Sequence, residues 1–427
     1  MRMTIKNTKG RVEYNFIPEH GDGEHPDGKT KMENIPVYFE NHLIPEMVHN
    51  DILCLVGVLL VDPFVNRKLT LPIPVSEKFL EGTKKVITRY EIDADVDGDI
   101  NPRSIPENGF PGLAFSGGCD STAALCVMPD ETIPVFLERP MSGESAYDSD
   151  AALTSCELVK DMGYQMEIME SNFEYLRNPV GFPSDLAHAS VLLLICEELG
   201  LDSLNFGTVL ESAYGIGHPQ FRDYGNGSHW RLFSTLFDIV GLDLSLPVCG
   251  ISEVGTAIIC EKSDLGYIHQ SCIRGAWMEP CRRCWKCFRK ELLNCALGTQ
   301  EFDVEIFSAA IISPDVVSKL RKIPISHENV LSFSASRIEM PIQDDIFKSL
   351  KRRLVPGEGL DYLYSWYSPS ISFVTKKYRE IIKAKILSIL REMKEEEEKE
   401  LESWDINRFI ESKRTLNSSR KLLDIIS

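Results

Sequence analysis

At 427 residues, with 43% apolar and 26% charged side chains, the chain has length for roughly two to three domains and an ordinary globular composition. Its 64 acidic and 46 basic residues leave a net charge of −18, which disfavours broad nonspecific nucleic-acid binding, although local basic patches survive such a balance. Twelve cysteines behind a polar, charged start (Met1 to Tyr14) point to a reducing, cytoplasmic setting and to metal use rather than disulfides.

Residues 1–108 read as a β-rich N-terminal region. Arg11 to Ile17, Ile35 to Phe39, Ile52 to Asp62 and Lys68 to Val75 alternate or run apolar, and a helix starts at Ser76. The longest apolar run, Ile52 to Val61, is too short to span a bilayer and reads as a buried strand, so no membrane association is expected. An acidic connection, Asp93 to Pro111, follows. It opens like a calcium loop but carries Ser104 where the closing Glu belongs, so it reads as a solvated linker.

A strand over Pro111 to Phe115 leads into Phe115-Ser116-Gly117-Gly118-Cys119-Asp120-Ser121-Thr122, and Ser121 to Met128 reads as a helix opening on a Ser cap. Two glycines let the backbone turn sharply and bring bare amides close to an anion. The helix dipole favours phosphate, the hydroxyls of Ser116 and Ser121 can donate, and Asp120 is placed to hold Mg2+. No Gly-Lys-Ser/Thr follows, which excludes a Walker A loop.

Further strands are expected at residues 133–137, Gln165 to Met169 and Ser203 to Thr208, with helices over Ser149 to Gly163 and Ala187 to Gly200. Cys272, Cys281, Cys284 and Cys287 are then spaced C-x8-C-x2-C-x2-C, with Cys287 opening a helical run to Leu297. Four thiolates so placed can close a tetrahedral Zn2+ site. Arg282, Arg283, Lys286, Arg289 and Lys290 surround it and offset its negative charge. Residues 301–427 read as a helical C-terminal region. Tyr378, Ile382, Ile386, Ile389, Leu390 and Met393 mark one amphipathic helix, with Glu395 to Glu400 as its solvated end. The aromatic cluster Tyr362, Tyr364, Trp366 and Tyr367 reads as core packing.

The octet resembles the SGGxDS loop of the PP-loop ATP pyrophosphatases. With the cysteine array in this order and separation, residues 109–300 resemble the QueC family, the 7-cyano-7-deazaguanine synthases and their relatives. The resemblance implies an α/β fold with a doubly wound parallel sheet of PP-loop type and a zinc site, flanked by the β-rich and helical regions. It implies that Phe115, Ser116, Gly117, Gly118, Asp120, Ser121 and Thr122 bind ATP and Mg2+, with Asp120, Ser116 and Ser121 catalytic. It also implies activation of a carboxylate, 7-carboxy-7-deazaguanine, as an adenylate with release of pyrophosphate. A nitrogen nucleophile then displaces AMP, giving an amide that a second ATP dehydrates to the nitrile, or a conjugate to a partner protein of the kind expected for relatives in antiphage-defence operons.

Three departures bear on the substrate. Glu138-Arg139-Pro140 stands where the family resembles Tyr-Gly-Gln, Pro183-Ser184-Asp185-Leu186 replaces a Pro-x-Arg-Asn element, and Pro247 to Thr256 lacks a lysine that often follows the family's Pro-Leu element. These changes and the long flanks favour a divergent, defence-type member. A housekeeping synthase, a tRNA-thiolating enzyme and a non-catalytic ATP-binding subunit stay open. Asp185, His188, Glu211, Arg222 and Asp223 are the candidates for the substrate side, and Trp230 and Phe221 read equally as stacking partners for a flat base or as core packing. The flanks read as a platform for a homodimer or a partner protein.

Overall fold

The computed structural model describes residues 1–142, 147–338, 345–357 and 359–426. Its main sheet contains β1 (Arg2–Thr8), β2 (Arg11–Ile17), β3 (Val37–Glu40), β4 (Lys68–Thr70), β5 (Glu91–Asp93), β6 (Phe110–Phe115), β7 (Ile133–Glu138), β8 (Glu167–Ser171), β9 (Leu201–Phe206) and β10 (Asp243–Ser245). They lie in the order β10-β9-β6-β7-β8-β3-β2-β1-β4-β5. The half from β6 to β10 is wholly parallel. The chain winds outward from β6 through β7 and β8, then crosses back to β9 and β10. In open α/β sheets, ligands sit at the carboxyl ends of the strands where the winding reverses. That point lies between β6 and β9.

Burial patterns follow these positions. Every residue of β9 is buried, as expected for a parallel strand covered on both faces. In β2 burial alternates, the mark of a strand with one wet face. The N-terminal strands continue the same sheet, because β3 pairs antiparallel with β8 (Phe39 opposite Ser171, Glu40 opposite Glu170). One hydrophobic core accordingly takes in residues from Met1 to Ile410. A second core, including Trp285, Phe288, Phe307, Phe347 and Leu422, holds the C-terminal helices together. The C-terminal region is also fastened to the sheet: Lys377 Nζ and Tyr378 OH donate to Asp202 Oδ2 at 2.8 and 2.6 Å.

Several elements differ from the sequence expectation. Ile52 to Val61 is not a strand but the core of helix Asn50–Val61, in which every residue from Asp51 on is buried. A continuous apolar run has no period to separate the two cases. Asp51 anchors this helix by accepting from the amide and hydroxyl of Ser76 at 2.9 and 2.6 Å, and Ser76 caps the helix Glu77–Val86 as expected. Ala187 to Gly200 holds only a short 3-10 turn (Ala187–Ala189) and helix Ser190–Leu193 before the chain loosens into turns. The helix from Tyr378 ends at Leu387; Arg391–Glu392 pairs with Ser365–Trp366, and Glu395–Glu402 is a separate helix. Tyr362, Trp366 and Tyr367 are buried, as core packing requires.

Candidate functional site

The Ser-Gly-Gly loop leaves β6 at the winding reversal. Gly117 has φ +68°, a left-handed conformation that an L side chain resists. The helix that follows is Cys119–Val127, two residues earlier than expected, and its N-cap is Gly118 with no side-chain cap. Ser121 does not cap it. Instead its hydroxyl lies 3.0 Å from that of Ser116, accepts from the Ser116 amide at 3.2 Å and donates to the Gly118 carbonyl at 3.0 Å. No side chain of the loop caps the helix start; among the described residues, the side-chain contact there is with Ser271, whose Oγ lies 3.5 Å from the Cys119 amide nitrogen. Gly207, just past β9, is packed against the loop so closely that a Cβ there would lie 2.9 Å from backbone atoms of Asp120 and Ser121.

Asp120 turns toward an inner charge network. Its Oδ1 accepts from Thr256 Oγ1 at 2.9 Å and lies 3.8 Å from Lys290 Nζ. Lys290 is also 3.5 Å from Glu253 Oε2, while Arg289 Nη1 donates to Glu253 Oε1 at 2.7 Å and His327 Nδ1 lies 2.8 Å from it. Burial would raise the Glu253 carboxyl, but Lys290 and Arg289 outweigh it and hold the group well below the ordinary carboxylate range. Burial also opposes the charge of Lys290, yet the negative groups around it keep its pKa raised. Glu211 sits behind Glu253, accepting from the Glu253 amide at 3.1 Å and from Asn329 Nδ2 at 2.8 Å. Burial and the Glu253 charge push its pKa up to about 8.

The four cysteines come together as the spacing implied. Their sulfurs all lie within 4.8 Å of one another, with Cys281 to Cys287 at 3.9 Å and Cys284 to Cys287 at 3.4 Å. Two thiolates on one tetrahedral zinc, with Zn–S near 2.3 Å, stand ~3.8 Å apart, so the donor set fits the ion. Helix Trp285–Leu297 starts within the cluster: Cys284 is its N-cap and accepts from the Cys287 amide. Of the five bases expected to offset the cluster, Arg289 and Lys290 instead face inward to Glu253 and Asp120.

A cleft of about 610 Å3 opens over the loop, lined by Ser116, Asp120, Ser121, Arg139, Gly207 and Lys286 among others. It shares His188, Thr208 and Ser212 with a second chamber of about 560 Å3. Asp185, His188, Arg222 and Asp223 all line this second chamber, so the structure gathers four of the five substrate candidates. Glu211 does not join them, because it is buried in the charge network. His188 lies between the rings of Phe182 and Phe206, at 4.8 and 4.9 Å, and burial lowers its pKa to about 4. Asp185 lies 3.4 Å from His229 Nε2, and that contact lowers its pKa. Of the two stacking candidates, Trp230 packs edge-on to Phe373 and Phe221 stacks on Tyr214.

Sequence reading missed Lys290, Glu253, Thr256, His327 and Arg139. The first four come from three separate stretches of chain, Glu253 and Thr256 sharing one helix, and meet only through the fold. Arg139 was visible as a departure; it lines the loop cleft with Glu174 at 3.2 Å. Among the described residues, no helix is long and apolar enough to cross a membrane. Residues 232–405 match the model of DUF6395, a family of unknown function. No curated protein and no solved structure matches the chain.

Proposed function

We propose that this chain is an ATP-dependent, AMP-forming carbon–nitrogen ligase of PP-loop type, related to the QueC family. One observation carries the reading: the Ser-Gly-Gly-Cys-Asp-Ser loop, with Gly117 left-handed and its helix start uncapped, opens into a cleft at the winding reversal of a parallel sheet. ATP and a carboxylate, 7-carboxy-7-deazaguanine by resemblance, are its substrates.

A carboxylate resists amines at neutral pH because oxide is a poor leaving group. In the proposed first step a carboxylate oxygen bonds to the α-phosphorus of ATP, and the bond to the β-phosphate oxygen breaks. Pyrophosphate leaves into the loop, where the bare amides and the Ser116 and Ser121 hydroxyls take up its charge. Asp120 would hold Mg2+, which supplies further positive charge to the phosphates. In the second step a neutral nitrogen attacks the acyl carbon, the bond to AMP breaks, and the nitrogen loses a proton. The chamber beyond His188 gives the acceptor a way in. Cys272, Cys281, Cys284 and Cys287 would hold Zn2+ in a structural role, fixing the helix that carries Lys286 and Lys290.

The acceptor in this reading is ammonia or an amine on a partner protein in antiviral defence. Purified protein with Mg-ATP, 7-carboxy-7-deazaguanine and ammonium or a candidate partner tests it. AMP and pyrophosphate should appear in equal amounts, together with an amide, nitrile or protein mass increment, and none with Asp120→Ala. Zinc-replete protein that makes no AMP with any carboxylate refutes the reading.

A further inference from the structure

Beneath the loop lies a second group of soft donors that neither the four-cysteine cluster nor the proposed reaction uses. Cys119 and Cys260 are buried, with sulfurs 3.8 Å apart. A ring nitrogen of His269 completes a set whose three donor atoms all lie within 4.8 Å of one another. The sulfur separation equals that of two thiolates sharing a tetrahedral zinc, ~3.8 Å. His269 Nδ1 is buried and has no hydrogen-bond partner among the described residues. A buried imidazole nitrogen without a partner is costly unless it binds something.

We propose that Cys119, Cys260 and His269 form a second, three-ligand site for a thiophilic divalent cation, with zinc as the ion of choice. Two thiolates and one neutral imidazole neutralise a dication, which suits a buried location. Two sulfurs and one nitrogen select Zn2+ over Mg2+ or Ca2+. Lys290 stands close by, but Glu253 at 3.5 Å and Asp120 at 3.8 Å offset its charge, so an incoming cation does not meet a bare ammonium. Cys119 and His269 line a chamber of about 570 Å3, which leaves a fourth position for water. The three ligands come from the start of the loop helix, from the end of helix Glu253–Lys262, and from the segment entering the four-cysteine cluster. One ion would tie all three together directly under Asp120.

The test uses full-length protein and metal content, so it does not depend on the ligase reading. Protein purified in a reducing, zinc-containing buffer and desalted should hold two zinc per chain. Cys119→Ser or His269→Gln should lower this to one, and Cys284→Ser should remove a different one. X-ray absorption at the zinc edge of wild-type protein covers variants that fail to fold. Two occupied sites average about three sulfurs and one nitrogen or oxygen per zinc, whereas the four-cysteine site alone gives about four sulfurs. One zinc per chain with an all-sulfur shell, or iron in place of zinc at these ligands, overturns the proposal.

Discussion

Replacing Glu253 by Gln tests whether the inner network holds the site together. Glu253 is only 2% exposed and compensates two inward-facing cations, Arg289 at 2.7 Å and Lys290 at 3.5 Å. Removing one partner of a buried ion pair leaves charge without compensation and costs about 3–5 kcal/mol. At ~2–4 °C per kcal/mol for a mid-sized cooperative unit, the melting temperature should fall by about 6–20 °C. Glu211→Gln is the control. With a pKa of about 8, Glu211 is mostly neutral at pH 7, and the amide replaces only one of its two accepting oxygens, a loss of about 1–2 kcal/mol. Its pH dependence has a fixed sign. The folded pKa lies above the unfolded one, so the stability from this group is full below pH 4.5 and is lost as pH rises through about 8. The gap between wild type and Glu211→Gln should therefore narrow from pH 6 to pH 8.5 in thermal and urea unfolding followed by tryptophan fluorescence. Equal losses for the two variants at pH 7, or a gap that widens with pH, would refute this account.

Asp120→Asn should lower AMP formation at least ~100-fold while moving stability by no more than about 1 kcal/mol, since the amide still accepts from Thr256; single-turnover assays with melting curves check both. Gly207→Ala forces a methyl group to 2.9 Å from the loop backbone and should cost about 1–3 kcal/mol, with ATP affinity, measured calorimetrically, weakened with it. A fragment of residues 109–300 loses the β3 partner of β8, the Lys377 and Tyr378 contacts to Asp202, and His327 beside Glu253. It should be aggregated or molten by near-UV circular dichroism, and a cooperatively folded, ATP-binding fragment would contradict this.

The geometry of the site was legible where it is local. The Gly-Gly turn, the strand before it and the spacing of the four cysteines each occupy a few consecutive residues, and the fold places them as read. What was hidden is what the fold alone assembles. Glu253 shows as one acid near a helix start, yet its partners come from residues 211, 289, 290 and 327. Arg289 and Lys290 looked like compensation for the cysteines because sequence neighbours share a region but not a direction. Helix geometry sets them ~100° apart from each other, and the carboxylates of Glu253 and Asp120 draw both inward. The buried helix Asn50–Val61 was misread for a related reason: burial on all sides erases the periodicity by which a helix announces itself.

On the adenylating reading, an acidic protein must receive a polyphosphate. The stretch from Pro247 to Thr256 carries no lysine, where one often follows the Pro-Leu element of the family it resembles, and contributes Glu253 and Thr256. An extra carboxylate near phosphates would repel them. Here it does not stand alone, because Glu253 is outnumbered by Arg289 and Lys290, and Glu211 stays mostly protonated at pH 7. It holds Lys290 beside Asp120, and on the adenylating reading that cation, from the helix that starts in the cysteine cluster, stands in for the absent lysine. On the adenylating reading the zinc site therefore acts on phosphate binding at a distance. It fixes the first turn of that helix, and Lys286 and Lys290 extend from the same and the next turn toward the loop cleft and Asp120.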